Sequence, residues 1–510
     1  MQTNIKRPPI WLSAVVIFII LPMCFPFLYI AQYGLSSNAS QISQLLFNAQ
    51  TARLLLNTLL LCFIVTSTAI LLALICAFLL ERCQIRYKNL LTTLISLPLC
   101  IPSIVSSFTW FSVDTVLFSG LFGACFVMTL VSFPLAFLPI SATLKRLDSA
   151  WEEVSYSLNR SRWYTFIKVI FPQLRPAIGS AILLIALHLL IEFGAVAILG
   201  YKTFSVAIFN EFEAYYNTQE AVLLCLVLVL LCFVIVGFEL KLRGNEQIVR
   251  VGKGLISPPA PISLGKFEWL AIGFILSIFV LGILVPVVIL IQWIWEGSAI
   301  HSEYFQWSDY FSVLFSTLWL TLSAALITLI IAFPLVWISI RYRSPFTQYI
   351  ERLPFILHAI PAVVIGFAVA KYSLLYFPSI YQTHYVLFPA YLMLYLPLAQ
   401  TALRSSIEQI PTGIEWISDS LGKTRWRLFR RVILPLVSPG LIAGFSLCFL
   451  QMSKELTVTL ILSPRQLSTL SIELWHAEEG LQYSIVAVYG LSLIVFSGIP
   501  VFLLKRYLAK

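Results

Sequence analysis

Two glutamates stand inside long apolar runs, Glu192 in "LLIEFGAVAILG" and Glu455 in "LQMSKELTVTLIL". Each has a polar residue four positions earlier, His188 and Gln451, so on a helix the two share a face. A carboxylate within an apolar span is costly and marks a bundle interior or a polar path. Two of them at equivalent positions could line a route for a hard cation, because carboxylate oxygens suit hard ions. Equally, Glu192 could pair with His188, and Glu455 with Gln451 or Lys454, simply to fix helix packing. A tight metal site is not expected: His188, His301, His358, His384 and His476 are scattered without ligand spacing.

A second chemistry-bearing feature is written twice. "NRSRWYTFIKVIFP" begins at Asn159 and "GKTRWRLFRRVILP" at Gly422, and without a gap they share Arg, Trp, Phe, Val, Ile and Pro. Gly422-Lys423-Thr424 has the look of a phosphate loop. Such a loop needs an earlier Gly at position 417, where Ile417 stands, so that backbone N–H groups can wrap the phosphates. The first copy reads Asn159-Arg160-Ser161, which also argues against nucleotide. A basic helix lying at a membrane surface would account for Trp426, Phe429 and Ile433 at helical spacing, with Arg427, Arg430 and Arg431 between them. It leaves the recurrence of Pro172 as Pro435 unexplained.

The third reading is a docking element. Acidic residues open it (Glu152 and Glu153; Glu415), and a turn residue follows (Asn159; Gly422). A basic-aromatic helix carrying Arg162 or Arg425 then ends at Pro172 or Pro435. Gly adopts φ > 0 freely and Asn is the next most tolerant residue there. One element per half fits two equivalent partner subunits. Nothing in the chain can hydrolyse nucleotide, so the chain is not itself an enzyme and a partner would supply that energy.

Positioning these residues falls to apolar spans. The chain of 510 residues is 59% hydrophobic and 11% charged, and its mean hydropathy of +0.92 lies outside the soluble range. Twelve spans are expected, at roughly 10–30, 53–80, 89–112, 117–142, 177–199, 220–240, 268–294, 312–339, 354–376, 385–403, 439–462 and 484–504. The fold class is therefore an all-α polytopic membrane protein; a barrel would show short alternating segments. The first run is too long for a signal core and lacks a small-residue cleavage site, so it is expected as the first span. The nine cysteines lie mostly within apolar runs with no CxxC pair, and they read as small buried hydrophobes.

Placing both termini on one side gathers nearly all of the 33 Lys and Arg there, the exceptions being Arg53, Lys202, Lys371, Lys454 and Arg465. Glu211, Glu213, Glu220, Glu296, Glu303 and Asp309 collect on the other. The positive-inside rule then puts both termini in the cytoplasm, and the net charge of +10 requires no nucleic acid. The outer acids, with Tyr215, Tyr216, Glu478 and Glu479, could meet a soluble binding protein or form a solvated surface.

The repeat extends beyond the opening stretch. "NTLLL" at Asn57 matches "STLWL" at Ser316, and Ile101-Pro102 matches Ile360-Pro361 at the same offset. After a net insertion, Trp163/Trp426, Pro172/Pro435, Pro176/Pro439 and Glu192/Glu455 align. The organisation expected is a first half at 1–245 with its loop at 148–176, a polar linker at 246–266, and a second half at 267–510 with its loop at 411–439. Six spans per half make parallel repeats related by an axis along the membrane normal.

The duplicated loop resembles the EAA loop of permease subunits of ATP-binding-cassette (ABC) importers, roughly E-A-A-x-x-x-G, nine residues, then I-x-L-P. Gly422, Val432, Leu434 and Pro435 fall on that spacing, with Glu415 one position early and Trp416-Ile417-Ser418 in place of the triplet. In the first copy Glu153 falls on the Glu position, Asn159 replaces the Gly and Phe171 the Leu. The resemblance implies the type I importer permease fold, two copies of a cytoplasmic ATPase that bind ATP-Mg while this chain holds no cofactor, a periplasmic or extracellular binding protein, and location in the bacterial inner membrane. "EFGAVAILGYKTFSVAIFNEF" and "KELTVTLILSP" are similar to segments of ferric-iron permeases, and Fe(III) is a hard ion that carboxylates suit. Thiamine or another small solute is the alternative within the class. A twelve-span secondary transporter is the alternative outside it, and the paired loops argue against that.

Overall fold

The computed structural model describes residues 10–36, 43–44, 48–147, 150–213, 218–243, 261–297, 305–342, 344–357, 360–411, 413–420, 422–464 and 467–508; some side chains within these helices are also outside the description. Every expected span falls on one helix or on helices in succession. Among the described residues, nine helices are long and apolar enough to cross a membrane, or eleven if two bent pairs each count as one span. The sixth expected span coincides with a shorter apolar stretch, Gln219–Ile235, of the helix Thr218–Arg243. In lipid every backbone group must be satisfied within its own segment, which is why apolar runs of this length become helices.

One span per half is bent at a proline, at matching positions. Lys88–Cys100 and Ser103–Val113 meet at 91°, and Ile350–Leu357 and Ala362–Tyr376 at 107°. Pro102 and Pro361 cap the helices after the bend, where a missing N–H costs nothing. The fifth span of each half is also interrupted, which corrects the continuous helices expected at 177–199 and 439–462. Phe171–Ile191 stops and a short helix, Gly194–Ile198, follows. Leu434–Met452 stops and Thr457–Leu462 follows.

The chain forms two compact bodies, Ala39–Gln292 and Met1–Asn38 with Trp293–Lys510. They cross the sequence halves 1–245 and 267–510, because the leading helices of one half belong to the body built by the other. In the first body, Ala49–Arg82 packs along Gly120–Arg146, and Phe171–Ile191 packs on both. Glu268–Phe279 lies on Lys88–Ser96, and Gly282 sits so close to Pro98 that a Cβ would come within 3.1 Å of its ring. In the second body, Trp307–Arg341, Leu387–Ile407 and Leu434–Met452 form the equivalent core. Gly440 and Gly444 bring the last two together: a Cβ on Gly440 would lie 2.8 Å from the Ala402 carbonyl oxygen. Phe25–Ser36 rests on Ala362–Tyr376, with the Phe25 and Tyr372 rings 5.0 Å apart. Of the linker 246–266, residues 246–260 lie outside the description; Ile262–Ser263 pairs in parallel with Cys83–Gln84.

Candidate functional site: paired loops and paired carboxylates

The duplicated loop has one backbone in both halves. A short helix (Ala150–Ser157; Gly413–Ser420) leads to a residue of positive φ, 56° at Asn159 and 63° at Gly422. At both, the next N–H reaches back five residues, Arg160 to the Ser155 carbonyl at 3.2 Å and Lys423 to the Ser418 carbonyl at 3.1 Å. This is the Schellman closure, in which only Gly or a tolerant Asn is comfortable at the left-handed position. A Cβ on Gly422 would meet nothing within 4 Å, so any substitution penalty there comes from φ alone. Ser161 caps the following helix through the Tyr164 N–H, and Thr424 Oγ1 accepts from the Arg427 N–H. The Gly-Lys-Thr triplet is a helix stop followed by a helix start.

The second helix of the loop does not end at its proline, as the sequence pattern suggests. Arg162–Thr165 and Arg425–Leu428 pass through single π turns, Phe166–Ile170 and Phe429–Ile433, directly into the fifth spans. The Phe171 N–H reaches the Phe166 carbonyl, and the Leu434 N–H that of Phe429. The π turn makes room for Pro172 and Pro435, which have no N–H to offer and would otherwise crowd the preceding turn. That is a structural reason for the recurring proline. Trp163 and Trp426 are 71% and 68% exposed and stack on Phe166 and Phe429. Arg162, Arg427, Arg430 and Arg431 are exposed as well. Glu153 is exposed, whereas Glu152 is buried against Arg82, with 2.6 Å between Oε1 and the guanidinium. The side chains of Glu415 and Arg425 lie outside the description.

Glu192 and Glu455 occupy the breaks in the fifth spans. Each accepts a backbone N–H from the short helix that follows, Ala195 at 3.2 Å and Val458 at 2.9 Å. Those short helices rest on the helices that follow the proline bends, Gly194–Ile198 on Ser103–Val113 and Thr457–Leu462 on Ala362–Tyr376. Gly366 permits the second contact, since a Cβ there would lie 3.1 Å from Ile461. Both halves thus set a carboxylate where two discontinuous helices meet.

Their side-chain partners differ. His188 Nε2 lies 3.9 Å from Glu192 Oε2. Glu455 Oε2 instead accepts the Tyr395 hydroxyl at 2.5 Å, while Gln451 lies across the intervening turn Ser453–Lys454. Tyr391 extends that cluster by its hydroxyl contact with Thr459 at 2.6 Å. Sequence reasoning missed Tyr395 because its partner is 60 residues away. It also missed the polar ties behind each break. Phe204 N–H donates to Thr58 and Ser205 to the Glu192 carbonyl; Leu470 N–H donates to Thr317 and Ser471 to the Ser453 carbonyl. Thr58 and Thr317 are related by the repeat, which is the signal that could have found them. Among the described residues no group of three or more His, Cys, Asp or Glu is arranged to hold a metal ion.

Burial and the neighbouring Glu479 raise the Glu478 carboxyl above its ordinary range, and burial with Glu220 does the same for Glu211. Both sit on the helices that follow the breaks, Leu470–Glu479 and Phe204–Glu213.

Comparison with known proteins matches residues 69–241 and 302–510 to the family described as the binding-protein-dependent transport system inner membrane component. The chain is 46% identical over 507 residues to the Fe(3+)-transport system permease protein FbpB 2 of Haemophilus influenzae, covering 99% of this chain and 100% of that one. It is 24% identical over 412 residues to the ferric transport system permease protein FbpB of Actinobacillus pleuropneumoniae, covering 74% of this chain and 57% of that one. The sulfate transport system permease protein CysT of Escherichia coli matches at 25% over 201 residues, 36% of this chain and 72% of its own. With the domain present twice and a full-length relative in the same family, this chain belongs to the binding-protein-dependent transport system inner membrane components as a fused, two-half, multi-pass ABC permease.

Proposed function

We propose that this chain is the translocation subunit of an ATP-driven importer for ferric iron. The observation that carries it is the duplication of the loop down to its left-handed residue, one copy per half, joined through a π turn to the span that ends at a carboxylate. Each loop docks on one of two cytoplasmic ATPase subunits, which bind ATP-Mg, and both termini face the cytoplasm. Glu153, Asn159, Arg162 and Pro172 serve one contact, with Glu152 buried behind it against Arg82, and Glu415, Gly422, Arg425 and Pro435 serve the other. A binding protein delivers the ion from the opposite side.

ATP-driven closure of the ATPases moves the two loops, and the fifth spans follow because no flexible joint separates them. Glu192 with His188, and Glu455 with Gln451 nearby, line the path of the cation. Each carboxylate accepts a backbone N–H and has a side-chain neighbour, His188 or Tyr395, so a passing ion meets an oriented ligand already engaged with the protein. Weak, oriented ligation suits a step that must release its cargo. The full-length relative named for Fe(3+) transport supports the choice of substrate. Uptake of labelled ferric iron and of labelled thiamine, in cells with and without this chain, decides it. Chain-dependent iron uptake is expected; chain-dependent thiamine uptake without iron would replace the substrate.

A further inference from the structure

We propose that Arg82 is a positioning residue for energy coupling: it fastens the docking helix Ala150–Ser157 to the end of Ala49–Arg82, and that helix carries the displacement to the segment behind Glu192. The inference rests on the docking role proposed above. Arg82 is the last residue of a 34-residue helix, yet it is only 4% exposed and pairs with the buried carboxylate of Glu152. One turn earlier, Phe78 meets Phe166 edge-on, with centroids 5.7 Å apart. The hydroxyls of Ser155 and Thr165, 2.8 Å apart and buried, join the two arms of the loop to each other. Both arms are therefore held at one helix end.

The same helix, about 36 Å toward its N-terminus at 1.5 Å per residue, is tied to the break. Thr58 accepts the Phe204 N–H, Asn57 Nδ2 donates to the Lys202 carbonyl, and the Asn57 carbonyl accepts the Tyr201 hydroxyl. Ser205, adjacent to Phe204, holds the Glu192 carbonyl at 2.6 Å. A continuous helix with fixed contacts at two points this far apart can bias two distant sites together, which is the physical requirement for coupling. The second half repeats the types at Arg341 and Glu415. There Phe333 meets Phe429 edge-on at 5.5 Å and Leu470 N–H donates to Thr317.

The test uses the full complex with its ATPase subunits and binding protein in proteoliposomes, reading ATP hydrolysed per ion taken up. Arg82→Met should raise that ratio at least about fivefold, the low end of typical coupling energies. Arg82→Lys, which keeps the charge, should restore it. A lone buried charge can cost the fold, so Arg82→Met is also combined with Glu152→Gln; the neutral pair should show the same rise and not a larger one. A wild-type ratio in the neutral pair, or no rescue by lysine, overturns the proposal. Failure of the wild-type chain to retain ATPase subunits would instead overturn the parent reading, and this one with it.

Discussion

Glu192 and Glu455 stand at the same break in the same span of two related halves, and their surroundings have diverged. Glu455 is held by a neutral donor, the Tyr395 phenol, beside a second phenol, Tyr391. At the positions the repeat makes equivalent, the first half has Ser132 and Met128, and Glu192 faces the imidazole of His188 instead. The Ser132 hydroxyl is fully buried and has no hydrogen-bond partner among the described residues. The backbone bonds to the carboxylates are the same in both halves. What the duplication preserves is the placement of charge; what it allows to vary is how each charge is held. The loops follow the same rule, keeping a left-handed residue while exchanging Gly for Asn.

The largest effect should come from removing what the halves share. Glu192→Gln combined with Glu455→Gln is expected to abolish iron uptake while ATPase subunits remain bound, measured by transport and co-purification; normal uptake would reduce both residues to packing. Next is the turn. Gly422→Val places a β-branched residue at φ of 63°, and left-handed backbone costs roughly 1–2 kcal/mol for an L-residue. ATPase binding should weaken by about tenfold at 1.4 kcal/mol, and unchanged binding would disconnect the turn from docking.

The difference between halves predicts smaller, unequal effects. Tyr395→Phe removes a donor from a half-buried carboxylate, a loss of about 1–3 kcal/mol, and should lower transport several-fold. Ser132→Ala removes a hydroxyl without a partner and should leave transport and thermal stability unchanged or slightly improved; equal losses from both would erase the asymmetry. Smallest of all, Gly422→Asn and Asn159→Gly exchange the residues the two turns already use. ATPase binding within twofold of wild type is expected for each, and a large loss at one would show that the loops are gripped unequally.

The repeat, the span positions and the tolerant residue at the turn were legible because hydropathy and a constant offset record them directly. The breaks at Glu192 and Glu455 were not: "LLIEFGAVAIL" is apolar on both sides of its glutamate, and Ser453-Lys454-Glu455 is a short polar patch in an otherwise apolar run, and neither carries a proline. The π turns were hidden for a related reason: Pro172 and Pro435 read as helix ends when the helix in fact widens to pass them. The Arg82–Glu152 pair joins residues 70 positions apart on separate elements, and no local pattern encodes it. The exchange of leading helices between bodies lies further still from the sequence. One apolar helix face resembles another, and close contacts such as Gly282 on Pro98 decide the match only in three dimensions.

Ion uptake into proteoliposomes containing this chain, its ATPase subunits and its binding protein tests the central claim most directly. Ferric iron should accumulate only when ATP and both partners are present, and the Glu192→Gln, Glu455→Gln chain should hydrolyse ATP without accumulating it. Accumulation driven by a proton gradient, with no ATPase subunit in the vesicle, would contradict the account.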